Sequence, residues 1–162
     1  MRAIAIRRLS PASRDDYRKI RLEALRASPE AFGSTYELEA QRPIEAFVER
    51  LAGSIVFGAY LGDGIVGMVG LAGEQGPKER HKAFLWGMYV RAEMSGKGVG
   101  RALVEAILEP VGVEQITLAV VKENAAAQAL YRRLGFTVYG AEPRALKVRD
   151  RYADEILMVK FL

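Results

Sequence analysis

Ser95-Gly96-Lys97-Gly98-Val99-Gly100 sets three glycines at alternate positions between a hydrophobic strand and an amphipathic helix. Such a run exposes successive backbone N–H groups with no side chains in the way, and glycine reaches backbone angles that other residues avoid. A helix starting at the last of these groups adds the positive end of its dipole, so the segment is suited to hold a phosphate or pyrophosphate by main chain. Two familiar phosphate motifs fail on spacing. A P-loop needs Gly-Lys-Ser/Thr at its end, and Gly100 is followed by Arg101; a dinucleotide fingerprint needs Gly or Ala where Arg101 stands. Taken alone, the loop reads better as an ordinary strand-to-helix turn.

A second segment, Asn124 to Phe136, shifts that balance. Asn124 is a good N-cap, the alanines at 125–127 and 129 favour helix, and Gly135 is a natural C-terminal cap before a strand that begins at Phe136. Asn124 and Tyr131 are seven residues apart, a drift of only ~20° around a helix, so both can face one cleft.

With both segments in this order, the chain resembles the GNAT superfamily of N-acetyltransferases. That pattern is a strand, an R/Q-x-x-G-x-G/A loop, a helix, a strand, and then N-x-x-A-x-x-L-Y-x-x-x-G-F. The resemblance is sharpest from Leu85 to Tyr139 and extends more loosely to the whole chain. It implies that the loop, here Ser95, Gly96, Lys97, Gly98, Val99, Gly100 and Arg101, holds the pyrophosphate of acetyl-coenzyme A. It implies that Met88, Tyr89 and Val90 pair by main chain with the pantetheine arm. Asn124 and Tyr131 would lie near the arm and the thioester sulfur. Ser95 departs from the usual Arg or Gln, which lowers the expected cofactor affinity; Lys97 and Arg101 are placed to compensate in part.

The chemistry so implied is attack of an amine on a thioester. A lysine-like amine has a pKa of ~10.4 and arrives protonated at neutral pH, so a base is needed. Tyrosine, with a pKa near ~10, is protonated at pH 7 and can donate to the departing thiolate. Tyr131 is therefore the expected general acid, the role the resemblance also gives it; the alternative is a core-edge aromatic. No base stands out. Lys82–Tyr89 contains no acid, and Glu79, Glu37, Glu39 or a water relay all remain open. For the acceptor, Phe32, Tyr36 and Glu37 combine aromatic rings with a carboxylate, which suits a cationic amine. Glu142–Arg149 adds positive charge and suits an acidic one. Small amines, amino acids, antibiotics and protein N-termini are all compatible.

Composition narrows the class. The 162 residues are one domain by size, and half are hydrophobic, enough for a sizeable core. No stretch approaches the ~20 apolar residues of a membrane span, and the first eight residues are too short and broken for a signal peptide. With no cysteine and only His81, disulfides, thiol nucleophiles and Cys- or His-rich metal sites are excluded, and reduced cytoplasm is the expected compartment. The net charge of +4 is scattered among acids, which favours a solvated surface over a nucleic-acid interface. The expected partners are acetyl-CoA and a small-molecule or protein amine; no membrane is expected, and a homodimer is compatible. Two other classes stay open, a non-catalytic acyl-CoA sensor and a basic nucleic-acid-binding module. Turnover with any amine separates the first, and salt-dependent binding to DNA or RNA would favour the second.

Residues 3–9 read as a strand and 11–27 as a helix with Tyr17, Ile20, Leu22, Ala24 and Leu25 on its apolar face, stopped by Ser28-Pro29. Residues 28–42 are a loop or short helix, and Pro43–Leu51 a helix. Ser54–Leu61 and Ile65–Ala72 form a hairpin around Gly62-Asp63-Gly64. After a turn at Gly73–Lys78 come strand Lys82–Val90, the glycine loop and helix 98–109, with Val99, Leu103, Ala106 and Ile107 inward and Arg101, Glu105 and Glu109 outward. Glu114–Val121 is a strand, 124–134 a helix, 136–140 a strand, 141–153 a polar excursion, and Asp154–Leu162 a strand. Phe84–Val90 is apolar throughout but for Gly87, which predicts cover on both faces. The expected fold is therefore α/β (α+β): a central mixed, mostly antiparallel sheet of six to seven strands flanked by helices on both faces.

Overall fold

A computed structural model describes residues 3–109 and 112–162. Strand β1 (Ile4–Leu9) leads through a 3-10 turn, Pro11–Ser13, into helix α1 (Arg14–Ala27). Asp15 and Asp16 in its first turn and Arg26 in its last complement the helix dipole, and it ends before Ser28-Pro29 as expected. Its buried face is Tyr17, Ile20, Arg21, Ala24 and Leu25. Arg21 thus takes a place expected for Leu22, which is only half-buried. Within 28–42 lie a 3-10 turn and the short helix α2 (Tyr36–Ala40), capped by Thr35 Oγ1 accepting from the Leu38 N–H at 3.2 Å. Helix α3 (Ile44–Gly53) takes Pro43 as its N-cap.

Strands β2 (Ile55–Leu61) and β3 (Gly64–Gly73) turn at Gly62, whose φ of +63° glycine supplies without strain. Strand β4 (Lys82–Val90) precedes α4 (Val99–Leu108), then β5 (Gln115–Val121), α5 (Ala125–Arg133), β6 (Thr137–Val148) and β7 (Arg151–Phe161). The seven strands form one sheet in the order β1-β2-β3-β4-β5-β7-β6. β1/β2, β2/β3, β5/β7 and β6/β7 are antiparallel, while β4 and β5 run parallel over Lys82–Gln115, Ala83–Ile116 and Phe84–Thr117. The mixed, mostly antiparallel sheet is as expected.

The end of the chain is not. The polar excursion at 141–153 is a long antiparallel ribbon, β6 continuing to Val148 and β7 starting at Arg151. The strand at the sheet's edge leaves polar residues exposed on both faces, so no alternation marks it. Pro143 is accommodated where the register shifts between Glu142 and Leu146.

Two compact units compose the chain: Met1–Ala72 with Leu85–Val111, and Gly73–Phe84 with Gly112–Leu162. In the first, one face of the sheet packs Leu9, Val56, Tyr60 and Met68 against Tyr17, Ile20 and Ala24 of α1 and Phe47 and Leu51 of α3. On the other face Leu103 of α4 approaches Gly67 of β3, where an added Cβ would stand 3.3 Å from its Cδ1. Helices on both faces are thus realised in this unit. α4 buries Val99, Leu103, Val104 and Ile107; Val104 fills the role expected of Ala106. β4 is less covered than its composition predicts. Ala83 and Leu85 are buried, Phe84 is exposed, and Trp86 to Val90 are only half-buried.

In the second unit α5 closes on Gly135, with φ +94° and its N–H bonded to the Arg132 carbonyl at 3.0 Å. Lys160 Nζ donates to the last helical carbonyl region at Leu134 O, 2.6 Å away.

Candidate active site

The glycine loop is held at both ends and open between them. Met94 and Val99 are buried at 5% and 2% exposure, while Ser95, Gly96, Lys97 and Gly98 are all exposed. Gly96 and Gly98 adopt φ of +75° and +76°, and no atom lies within 4 Å of a Cβ built on either. Backbone conformation, rather than crowding, therefore requires glycine at these two positions. Gly100 differs, lying inside the first turn of α4. The intrahelical ladder starts with Ala102 N–H to Gly98 C=O at 3.0 Å, which leaves the N–H groups of Val99, Gly100 and Arg101 as the free donors of the first turn. No acid occupies that turn. Free donors, the positive end of the dipole and adjacent Lys97 fit a pyrophosphate. Arg101, also in that turn, has its Nε paired with Glu105 Oε1 at 2.7 Å.

The start of the loop is tied to α1. Arg91 grips Glu23 through Nη2 to Oε1 at 2.7 Å and Nε to Oε2 at 2.8 Å, and its N–H bonds Val66 O at 2.9 Å. The Tyr89 hydroxyl donates to Glu23 Oε2 at 3.2 Å. The bonds from Arg91 hold the Glu23 carboxyl below its ordinary value, and burial with the facing Glu23 charge pushes Tyr89 up to about 12. Met88, Tyr89 and Val90, expected to present main chain, follow directly on Gly87. Its φ of +66° lies in the left-handed region that glycine reaches without strain.

Beside Gly87, where Arg21 Nη1 lies 3.5 Å from the place of a Cβ, is a cluster that sequence reasoning missed. Glu39, 1% exposed, accepts from Arg21 Nε at 3.0 Å and Nη2 at 2.8 Å, and from Arg50 Nη1 at 3.1 Å. Arg50 Nη1 also donates to the Tyr17 hydroxyl at 3.2 Å. Burial works to raise the Glu39 pKa, but the Arg21 hydrogen bonds and both guanidinium charges win and hold it at about 2. A carboxylate so committed cannot take a proton from an amine, which removes Glu39 from the candidate bases. Glu79 is paired with Lys82 at 3.6 Å, and Glu37 is exposed on α2. The signal for Arg21 was readable: it lies four residues after Tyr17 and three before Ala24, on the helix's apolar stripe.

Phe32 and Tyr36 do not offer bare faces to a cationic amine. The Arg21 guanidinium lies 5.3 Å from the Phe32 ring and that of Arg26 4.2 Å from Tyr36.

In the second unit, Asn124 caps α5, its Oδ1 accepting from the Ala127 N–H at 3.2 Å. That oxygen is committed locally, leaving the amide nitrogen for a ligand. Tyr131 is 5% exposed and packs edge-on against Phe136 at 5.7 Å. Burial alone raises its pKa above the ordinary 10. Of the residues singled out from sequence, Met88 to Arg101 belong to the first unit and Asn124 and Tyr131 to the second. Among the described residues no cluster of three or more His, Cys, Asp or Glu could hold a metal, and no helix is long and apolar enough to cross a membrane.

The chain is similar to known proteins. An L-methionine sulfoximine/L-methionine sulfone acetyltransferase of Pseudomonas aeruginosa is 35% identical over 74 residues, 44% of this chain and 43% of that protein, so the match spans under half the relative's length. AaaT of Escherichia coli (strain K12), an L-amino acid N-acetyltransferase, is 29% identical over 153 residues, 90% of this chain and 91% of that one. In fold, yncA from Salmonella typhimurium, solved with its cofactor acetyl-CoA, superposes with a TM-score of 0.84 at 21% identity, covering 99% of this chain and 94% of that one. Residues 17–136 match the Acetyltransferase (GNAT) family along most of the chain's length, and to that family the chain belongs.

Proposed function

We propose that the protein is an acetyl-CoA-dependent N-acetyltransferase acting on a primary amine. The observation that carries this is the exposed glycine turn opening α4, with its free N–H groups and no acid in the first turn. Gly96, Lys97, Gly98, Val99, Gly100 and Arg101 bind the pyrophosphate, with Ser95 adding a hydroxyl. Met88, Tyr89 and Val90 align the pantetheine arm by main chain. Acetyl-CoA supplies the acetyl group as a thioester: the amine nitrogen forms the new amide bond, the carbon–sulfur bond breaks, and the sulfur leaves as thiol. The Asn124 amide steadies the arm.

Tyr131 is the general acid for the departing sulfur. Its raised pKa keeps the hydroxyl protonated through neutral and moderately alkaline pH, so the proton is always present to donate. With Glu39 committed to Arg21 and Arg50, the ammonium proton leaves through water. The activities of AaaT and of the sulfoximine acetyltransferase support a small amino compound as acceptor.

The test is a panel of amines with acetyl-CoA, followed by thiol release, beside a calorimetric titration of coenzyme A. Thiol release dependent on an amine is expected. Tight coenzyme A binding without turnover on any amine would replace the enzyme by a sensor.

A further inference from the structure

We propose that Arg21 and Arg50 form a carboxylate subsite beside β4, which fits the protein to α-amino acids as acceptors. The acceptor part of this proposal rests on the transferase function above.

Charge is the first ground. Two guanidinium groups face one carboxylate, Glu39, and burial keeps Tyr17 protonated, so the cluster carries one uncompensated positive charge. On side chains only 9% and 22% exposed, that charge favours an anion beside it. Donor count is the second. Among the described residues, the hydrogen bonds of Arg21 leave from Nε and Nη2, and those of Arg50 from Nη1. Arg21 Nη1 instead sits 3.5 Å from the place a Cβ would take on Gly87. Arg50, with 22% of its side chain exposed, opens the cluster to solvent.

Surroundings are the third. The Trp86 ring lies 5.9 Å from each guanidinium and Phe32 lies 5.3 Å from that of Arg21. These rings wall the two cations and lower the local dielectric, which strengthens an ionic contact. Planar guanidinium forks match carboxylate geometry better than any other side chain. Gly87 adjoins Met88, where the proposed arm-binding segment begins. In an α-amino acid the amine sits on the carbon next to the carboxylate. A carboxylate held on Arg21 and Arg50 therefore places that amine alongside β4.

N-acetyl-L-alanine and N-acetyl-L-alaninamide differ only in carboxylate against carboxamide, so they are titrated calorimetrically into the full chain with coenzyme A present. At least tenfold tighter binding of the carboxylate is expected. Arg50→Gln, which leaves the Arg21–Glu39 pair in place, should abolish that preference while coenzyme A affinity holds; Arg50→Lys should retain part of it. In thiol release, L-alanine should exceed L-alaninamide by a similar factor, expressed in KM. Equal affinity for the two probes in the wild type overturns the subsite without recourse to any variant, as does a preference that survives in a folded Arg50→Gln. Carboxylate preference in binding with no thiol release from any amine would keep the subsite and overturn the transferase function.

Discussion

Replacing Glu39 by Gln keeps the side chain's volume and removes its charge, leaving Arg21 and Arg50 to face each other's neighbourhood without a counter-ion. A carboxyl held at about 2 against an ordinary 4.5 favours the charged, folded form by about 3 kcal/mol, at ~1.4 kcal/mol per tenfold. Breaking a buried pair from one side costs ~3–5 kcal/mol by an independent route. Both figures are a large part of the ~5–15 kcal/mol that holds a domain together. Because the folded-state pKa is depressed, this stabilisation is present in full above the unfolded value and is lost as pH falls from about 4.5 to about 2. Urea unfolding of both chains, followed by fluorescence of the single tryptophan, Trp86, reads the effect next to the cluster. Wild type should exceed Glu39→Gln by about 3 kcal/mol at pH 7, and the gap should close as pH approaches 2. The difference between the two curves cancels the other carboxylates. A gap under 1 kcal/mol at pH 7, or one that does not shrink on acidification, would refute the assignment of a stabilising buried carboxylate.

Gly98→Val should weaken coenzyme A binding at least tenfold, about 1.4 kcal/mol, in a calorimetric titration, because φ of +76° strains any L side chain and the new group shields the N–H donors. Raising salt from 0.15 M to 1 M should also weaken that binding, as the Debye length falls from ~8 Å to ~3 Å around exposed Lys97; a flat affinity would give the pyrophosphate a minor share. Tyr131→Phe should lower kcat by ~10²–10⁴ with little change in coenzyme A affinity, and wild-type activity should not fall through tyrosine ionisation until pH passes 10. Gly70→Ala should destabilise by ~1–3 kcal/mol and perturb tryptophan emission, since its Cβ would stand 2.7 Å from Trp86 Cδ2, an atom of a rigid ring.

What could be read in the chain were the features whose cause is local. The loop from Ser95 to Gly100 and the capped helix from Asn124 to Gly135 depend on glycine's free backbone and on capping chemistry, both visible in a few consecutive residues. The order of strands and helices followed from hydrophobic period for the same reason. The last ribbon escaped because β6 runs along the sheet's edge, exposed on both faces, where no alternation is imposed. Glu39 and Arg50 were equally opaque. Each looks like a surface charge in its own helix, and only the packing of α1, α2 and α3 brings them to Arg21, 18 residues from Glu39 in the chain. An ion pair's energy depends on separation and on exclusion of water, and both are properties of the folded interior. The same packing disqualified Glu39 as a base and covered Phe32 and Tyr36 with guanidinium groups. Local backbone chemistry thus marked where a phosphate would be held, and tertiary contacts decided which charged side chains are free to act.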